Sequence, residues 1–265
     1  MSTELLDLAR TIALEAGRLA ARRRREGVEV AATKSSIVDV VTAADREVEE
    51  LIRARIEVAR PHDAILGEEG GATGGSSGVT WVVDPIDGTV NYLYGVPHYA
   101  ISIAVVEGDP DPAGWTSLAG VVVNPAIDEV YTASRGGGAH LGGSPIRVAD
   151  PVPLEQALIG TGFSYDAERR ARQGEVIARL VPKVRDLRRF GTASLDLTSV
   201  ACGRLNAFYE SELNPWDLGA GELIAREAGA VVKGWGADAP SDRFLITGHP
   251  ELVGPLEELL AELHG

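Results

Sequence analysis

Apolar residues recur at helical spacing near the start of the chain: Leu5, Leu8, Ile12, Ala16 and Leu19 share one face. The pattern stops at Gly27, after a basic last turn at Arg22 to Arg25. Arginines there oppose the negative end of the helix dipole, which accounts for the run without a nucleic-acid partner. Thr42-Ala43-Ala44-Asp45 has the form of a capping box, so a second helix is expected from there to about Ala59, ahead of Pro61. Ala64-Ile65-Leu66 reads as a short strand running into Gly67-Glu68-Glu69-Gly70, and the Gly/Ser/Thr-rich stretch 70–78 reads as a solvated loop. Val79 to Val83 is an unbroken apolar run, as a buried strand requires. Ile101 to Val106, Leu118 to Val123 and Glu129 to Ala133 suggest an antiparallel set joined by turns at Gly108-Asp109-Pro110 and Asn124-Pro125.

The pattern changes at Asp150-Pro151-Val152-Pro153. Beyond it a helix near 166–181 precedes a strand near 184–189, a helix near 193–202 precedes a strand at Asn206 to Tyr209, and a helix from about Trp216 to Ala228 leads to a strand at Ala230-Val231-Val232. Such alternation indicates α/β layers, with helices covering a sheet. An N-terminal α+β part, residues 1–150, and a C-terminal α/β part, residues 151–265, are expected.

Composition narrows the function. The 265 residues carry 39 acids against 25 lysines and arginines, a formal charge of −14. That charge opposes attraction to DNA, RNA or anionic lipid, so no direct nucleic-acid partner is expected. Handling an anionic substrate would then need local positive charge, which metal ions can supply. Cys202 is the one cysteine, which excludes an internal disulfide and a cysteine-rich zinc site, and it reads as a small buried apolar residue. No apolar run approaches the ~20 residues of a membrane helix. Met1-Ser2-Thr3-Glu4 lacks the order of a signal peptide, so a soluble cytoplasmic protein is expected. There is no Cys-x5-Arg motif around Cys202 and no P-loop, and the five histidines lack zinc spacing.

The most informative stretch is Trp81-Val82-Val83-Asp84-Pro85-Ile86-Asp87-Gly88-Thr89, an apolar strand that ends in two aspartates. Pro85 fixes one backbone angle and Gly88 permits a tight turn, so both carboxylates and a backbone carbonyl can aim at one point. Hard divalent cations such as Mg²⁺ take oxygen ligands of this mixed kind. Glu68 follows the strand ending at Leu66, and Asp217 follows Asn214-Pro215-Trp216 at a helix start. Convergence of all four acids would demand bound cations, since each like-charge pair at about 4 Å costs roughly 4 kcal/mol at an effective dielectric near 20. Taken singly, each acid also reads as a helix cap or a turn residue, Asp217 above all.

These residues make the chain resemble the inositol monophosphatase family of Mg²⁺-dependent, lithium-sensitive phosphatases. Gly67-Glu68-Glu69 resembles its first metal motif, and Asp84-Pro85-Ile86-Asp87-Gly88-Thr89 its central signature. Pro215-Trp216-Asp217-Leu218-Gly219-Ala220-Gly221, followed by Glu227-Ala228-Gly229-Ala230, resembles its C-terminal signature. Lys34-Ser35-Ser36 and Arg188-Arg189-Phe190-Gly191 look closest to the bacterial inositol-1-monophosphatases. The resemblance implies a five-layered α/β/α/β/α sandwich, a homodimer and two or three Mg²⁺ ions per site. Glu68, Asp84 and the Ile86 carbonyl would bind a first ion and Asp84, Asp87 and Asp217 a second, with Glu68 facing a third through water. Thr89, oriented by Asp45, would hydrogen-bond the nucleophilic water, and the Gly88 and Thr89 N–H groups would receive phosphate oxygens. Ala193, Glu210 and Asp87 would meet inositol hydroxyls, and Lys34 would lie on a mobile loop near the metals. Without the family, Glu210 also has a lesser reading as a surface or interface acid, and Lys34 reads equally as an ordinary loop lysine. Glu212-Leu213-Asn214-Pro215 departs from relatives that carry a histidine before the Trp-Asp pair, which touches the sugar contacts rather than the metal chemistry.

The activity expected from this resemblance is hydrolysis of inositol-1-phosphate by metal-activated water. Fructose-1,6-bisphosphate, histidinol phosphate and 3′-phosphoadenosine nucleotides stand as alternative substrates, and a regulatory binding protein on a phosphatase scaffold as an alternative class.

Overall fold

The computed structural model describes residues 2–28, 30–33 and 40–264. Helix α1 (Ser2–Glu26) is followed by an antiparallel pair, β1 (Val30–Thr33) and β2 (Val40–Thr42), and by helix α2 (Ala43–Ala59). Strands β3 (Ala64–Gly67), β4 (Gly71–Thr73) and β5 (Val79–Asp87) lead to the short helix α3 (Thr89–Tyr94). A meander follows: β6 (Ala100–Glu107), β7 (Thr116–Asn124), β8 (Glu129–Ser134), β9 (Ala139–Leu141) and β10 (Ser144–Pro145). These strands form an eight-stranded sheet in the order β10-β9-β8-β7-β6-β5-β3-β4, antiparallel except where β3 runs beside β5.

The rest of the chain runs through β11 (Leu158–Thr161), α4 (Ala167–Leu180), β12 (Asp186–Arg188), α5 (Ala193–Ala201), β13 (Ala207–Glu210), α6 (Pro215–Glu227), β14 (Val231–Lys233), β15 (Leu245–Gly248) and α7 (Pro250–His264). Its five strands form a second sheet, ordered β12-β11-β13-β15-β14, with β11 parallel to both neighbours and β15 antiparallel to both of its own.

Layering follows from which side chains meet. Helices α1 and α2 cover one face of the large sheet. Helices α5 and α6 fill the space between the two sheets, and α4 and α7 cover the outer face of the small one. This is the five-layered α/β/α/β/α sandwich expected. A strand covered on both faces reads as a continuous apolar run rather than an alternating one. In β6, Ile101, Ile103 and Val105 point toward α1 and α2, whereas Ala100, Ala104 and Val106 point toward α5 and α6. Trp81 and Val83 likewise face one way and Val82 the other.

Several local expectations hold. The capping box at Thr42 is formed, with the Thr42 N–H donating to Asp45 Oδ2 at 2.8 Å. Arg23, in the basic last turn of α1, pairs with Glu47 on α2, so that turn also ties the two helices together. Two expectations are corrected. The stretch 70–78 is not all loop, because Gly71–Thr73 pairs with β3 as an exposed edge strand too short and too polar to show a period. The strand begun at Val79 does not stop at Val83 but continues, fully buried, to Asp87; acids take over from apolar residues while the backbone stays extended. The hydrophobic pattern singles out neither β11, β15 nor α7, which carries Pro255 inside it.

Candidate metal centre and its cavity

The end of β5 is built to turn inward. Its ladder with β6 slips between Asp84 and Asp87, a bulge that accommodates Pro85, which has no N–H to give to a neighbour. Asp84 Oδ1 accepts the Ile86 N–H at 3.1 Å and folds the bulge. Gly88 then adopts φ 87°, and a Cβ there would strike the Thr192 hydroxyl, so glycine is required on two grounds. Thr89 Oγ1 lies 3.1 Å from both Asp45 Oδ1 and the Ile86 carbonyl. With one proton to give, it serves one of them at a time.

Three further elements bring the remaining acids. The Asp87 carboxylate crosses to the start of α5, where Oδ2 accepts the Ser194 N–H at 2.7 Å. Asp217 occupies the first turn of α6 and closes a capping box, its Oδ2 accepting the Asn214 N–H at 2.6 Å. The helix-cap reading of Asp217 is therefore correct, and it coexists with a place in the cluster. Among the described residues, Asp84, Asp87 and Asp217 each present an oxygen within 4.8 Å of the others. Glu68 sits in the turn between β3 and β4 on the wall of the same cavity and in hydrogen-bonding contact with Asp84.

Burial and like charge both act against ionisation across the cluster. Burial, then Glu68, Asp87 and Asp217, push the Asp84 carboxyl well above the usual range. Asp217 is driven the same way by burial, Glu68 and Asp87, against the Asn214 N–H that favours its charge. Burial lifts Asp87 to about 6, although the Ser194 hydrogen bonds favour its charge. Glu210 rises to about 8 through burial and Asp87, with Arg189 opposing. Asp45 rises to about 6, chiefly by burial, even though Thr42 donates to it. Among the described residues, Arg169 and Arg189 are the cationic side chains that line the cavity, and Arg169 is already paired with Glu212. Buried carboxylates this close call for a counter-charge. Carboxylate oxygens beside a backbone carbonyl make an all-oxygen donor set, which fits a hard divalent cation.

Nine of the residues singled out from sequence line one cavity of about 490 Å³: Glu68, Asp84, Ile86, Asp87, Gly88, Thr89, Ala193, Glu210 and Asp217. Asp45 is absent from its wall and reaches it through Thr89. Lys34 lies outside the described residues. Sequence reasoning assigned no role to Arg169 or Arg189, which also line the cavity. It also passed over Glu49, a buried acid of α2 that holds the Glu68 turn. Glu49 follows Asp45 by four residues and so shares its helix face, a spacing that does not by itself reveal the turn packed against it.

The profile of the inositol monophosphatase family matches residues 1–263. The inositol-1-monophosphatase SuhB of Mycobacterium tuberculosis is 44% identical over 246 residues, covering 86% of this chain and 83% of that protein. The Nus factor SuhB of Pseudomonas aeruginosa is 39% identical over 252 residues, 92% of this chain and 89% of its own length. Among solved structures, the extragenic suppressor protein suhB from Bartonella henselae superposes with a TM-score of 0.89 at 34% identity, covering 97% of this chain and 98% of that one.

Proposed function

The chain belongs to the inositol monophosphatase family, and we propose that it is a Mg²⁺-dependent phosphate-monoester hydrolase releasing phosphate from inositol-1-phosphate. The observation that carries this reading is the convergence of Asp84, Asp87 and Asp217 within 4.8 Å, beside Glu68 on the wall of the same cavity. In this reading Glu68, Asp84 and the Ile86 carbonyl would hold one cation and Asp84, Asp87 and Asp217 a second, with Glu68 also serving a third. The bound cations supply the charge that acidifies water and neutralises a departing alkoxide.

The chain's own groups do the positioning. When Thr89 Oγ1 donates its proton to Asp45 or to the Ile86 carbonyl, both 3.1 Å away, a lone pair is left to accept a hydrogen bond from the attacking water. The Gly88 and Thr89 N–H groups receive phosphate oxygens. Ala193, Glu210 and Asp87 meet the ring hydroxyls, and polar pairing of this kind discriminates strongly among polyols. As the water oxygen bonds to phosphorus, the ester P–O bond breaks, and the leaving oxygen ends protonated as the free alcohol. Phosphate monoesters hydrolyse so slowly unaided that enzymes reach accelerations near 10²¹. The chain is proposed to act as a homodimer in the cytoplasm. Among the described residues, no helix is long and apolar enough to cross a membrane.

Fructose-1,6-bisphosphate, histidinol phosphate and 3′-phosphoadenosine nucleotides remain substrates to be tested against inositol-1-phosphate with the same chemistry. A regulatory role on a phosphatase scaffold would have no use for four converging acids. Phosphate release from this panel, with Mg²⁺ titrated and Li⁺ added, tests the reading. Fastest release from inositol-1-phosphate is expected. A hundredfold preference for histidinol phosphate overturns the substrate, and no release from any ester overturns the enzyme.

A further inference from the structure

Helix α2 carries two buried acids one turn apart. Asp45 reaches Thr89, and Glu49 reaches the turn that carries Glu68. The Glu49 side chain is nearly sealed from solvent, yet its carboxylate is fully engaged. Oε2 accepts the Glu69 N–H at 2.8 Å, and Oε1 accepts the Gly70 N–H at 2.8 Å and Arg53 Nε at 2.7 Å. Arg53 Nη2 in turn donates to the Gly71 carbonyl at 2.5 Å. On the turn's other side the Glu68 N–H donates to the Val83 carbonyl at 3.2 Å, one residue ahead of Asp84. A Cβ on Gly67 or Gly70 would collide with the Glu49 carboxylate or the Arg53 guanidinium. The turn is thus pressed directly onto the ion pair, and a side chain at either glycine would have to displace it.

We propose that Glu49, locked by Arg53, is a positioning residue for Glu68: by accepting the Glu69 and Gly70 N–H groups it fixes the turn that presents the Glu68 carboxylate to the divalent cation. The inference rests on the reading of Glu68 as a metal ligand. Charge-assisted hydrogen bonds to a buried carboxylate are short and strong, so the clamp restricts the backbone on both sides of the ligand. Without it the turn relaxes and the ligand oxygen spreads over several positions, at a cost in cation affinity. Loss of such a supporting partner weakens metal binding about 10–100-fold. Helix α2 then sets two parts of the reaction centre at once, the hydroxyl that orients water and one cation ligand.

Mn²⁺ binding to the full chain, followed by calorimetry alongside thermal unfolding in chelator, tests this. Glu227→Gln serves as the control, because Glu227 clamps a different turn in the same way, accepting the Gly136 and Gly138 N–H groups at 2.8 and 2.9 Å far along the sheet. Glu49→Gln is expected to weaken Mn²⁺ binding tenfold or more. Glu227→Gln should lower the unfolding midpoint yet bind Mn²⁺ as the parent chain does. Arg53→Lys, which keeps the carboxylate but removes the guanidinium fork, should weaken binding by a smaller factor. Parent-like binding by Glu49→Gln overturns the proposal. Should that variant fail to fold, Arg53→Lys decides in its place, with unchanged affinity overturning the proposal and weakened affinity supporting it. Loss of binding in Glu68→Gln but not in Glu49→Gln removes only the positioning role, whereas no Mn²⁺ binding by the parent chain removes the metal reading of Glu68 as well.

Discussion

Two acids at strand ends of the same sheet have opposite surroundings. Glu129, at the start of β8, is held in a fork by Arg204 at 2.5 and 2.7 Å and accepts the Tyr131 hydroxyl at 2.7 Å. The Arg204 hydrogen bonds hold its carboxyl below the ordinary range. Asp63 is similar: burial works against its charge, but Arg60, Ser77 and Trp81 all donate to it, and its carboxyl also sits low. Asp84, at the far end of β5, faces Glu68, Asp87 and Asp217, and its carboxyl is pushed high. The scaffold therefore pairs Glu129, Asp63 and Glu49 with arginine, whereas it sets Asp84, Asp87 and Asp217 against one another. Such crowding of like charges is costly to the metal-free chain, and that cost makes sense where a ligand brings positive charge.

The sharpest way to break this contrast is to neutralise one acid from each setting. Asp84→Asn should reduce phosphate release about a thousandfold or more, because it removes a ligand proposed to bridge two cations. In chelator the same variant should be more stable than the parent at neutral pH, by about 1 kcal/mol, since a like charge is gone. Glu129→Gln should do the reverse. It should leave turnover intact and cost about 1 kcal/mol, a modest figure because Arg204 is partly solvated. Urea unfolding in chelator reads both signs, and a shared sign for the two variants would dissolve the distinction.

Cation addition comes next in size. Mg²⁺ at a hundred times its dissociation constant should stabilise the chain by about 2.7 kcal/mol, raising the unfolding midpoint by about 5–10 °C. The gain should vanish in an Asp84→Asn/Asp217→Asn double variant. Scanning calorimetry with and without Mg²⁺ measures it, and an equal gain in both proteins would place the stabilising cation elsewhere.

The sequence exposes one side of this contrast better than the other. Leu5 to Leu19 and the runs in β6 and β7 are legible because burial imposes a period. Asp84 and Asp87 stand out because acids interrupt a buried strand, which few other purposes explain. The capping box shows Asp45 as a helix start, but its link to Thr89 spans 44 residues and leaves no local trace. The Asp87 bond to Ser194, across 107 residues, is equally silent. Glu49 and Arg53 look like an ordinary solvated pair on a helix, since spacing alone cannot say which face a turn will be pressed against. The strand Gly71–Thr73 owes its pairing to β3 rather than to its own side chains.

A smaller effect separates the settings by pH. The cavity acids bind protons more tightly in the folded chain than in the unfolded one, so the folded state holds more protons as pH rises past their unfolded values. Stability of the metal-free chain should therefore fall between pH 4.5, the ordinary value for Glu210, and about 8, its raised one. Asp45 and Asp87, raised from 3.8 to about 6, contribute over the lower part of that window. Groups like Glu129, held low, contribute stability above their ordinary range that is lost only as pH falls through it. Midpoints followed from pH 5 to 8 in chelator should drop by about 5 °C, and Mg²⁺ should flatten the slope. A rising midpoint over that range would mean that paired acids, not the cavity, govern the linkage.

Glu210 offers the finest test, because it stands between the two settings. It ends β13 on the cavity wall, close enough to Gly162 that a Cβ there would collide with its carboxyl, and burial outweighs the charge of Arg189 in raising it, with Asp87 adding a smaller push. In the reading advanced here it touches the substrate ring and no cation. Glu210→Gln keeps the shape and an acceptor oxygen but replaces the other acceptor with a donor, so about one substrate hydrogen bond is lost. At about 1 kcal/mol that corresponds to a KM for inositol-1-phosphate raised roughly fivefold, with Mn²⁺ affinity unchanged. The metal-free variant should also lose the upper part of the pH dependence, since glutamine has no proton to shed near pH 8. A weakened Mn²⁺ affinity with KM intact would instead move Glu210 into the cation shell and enlarge the acidic cluster by one member.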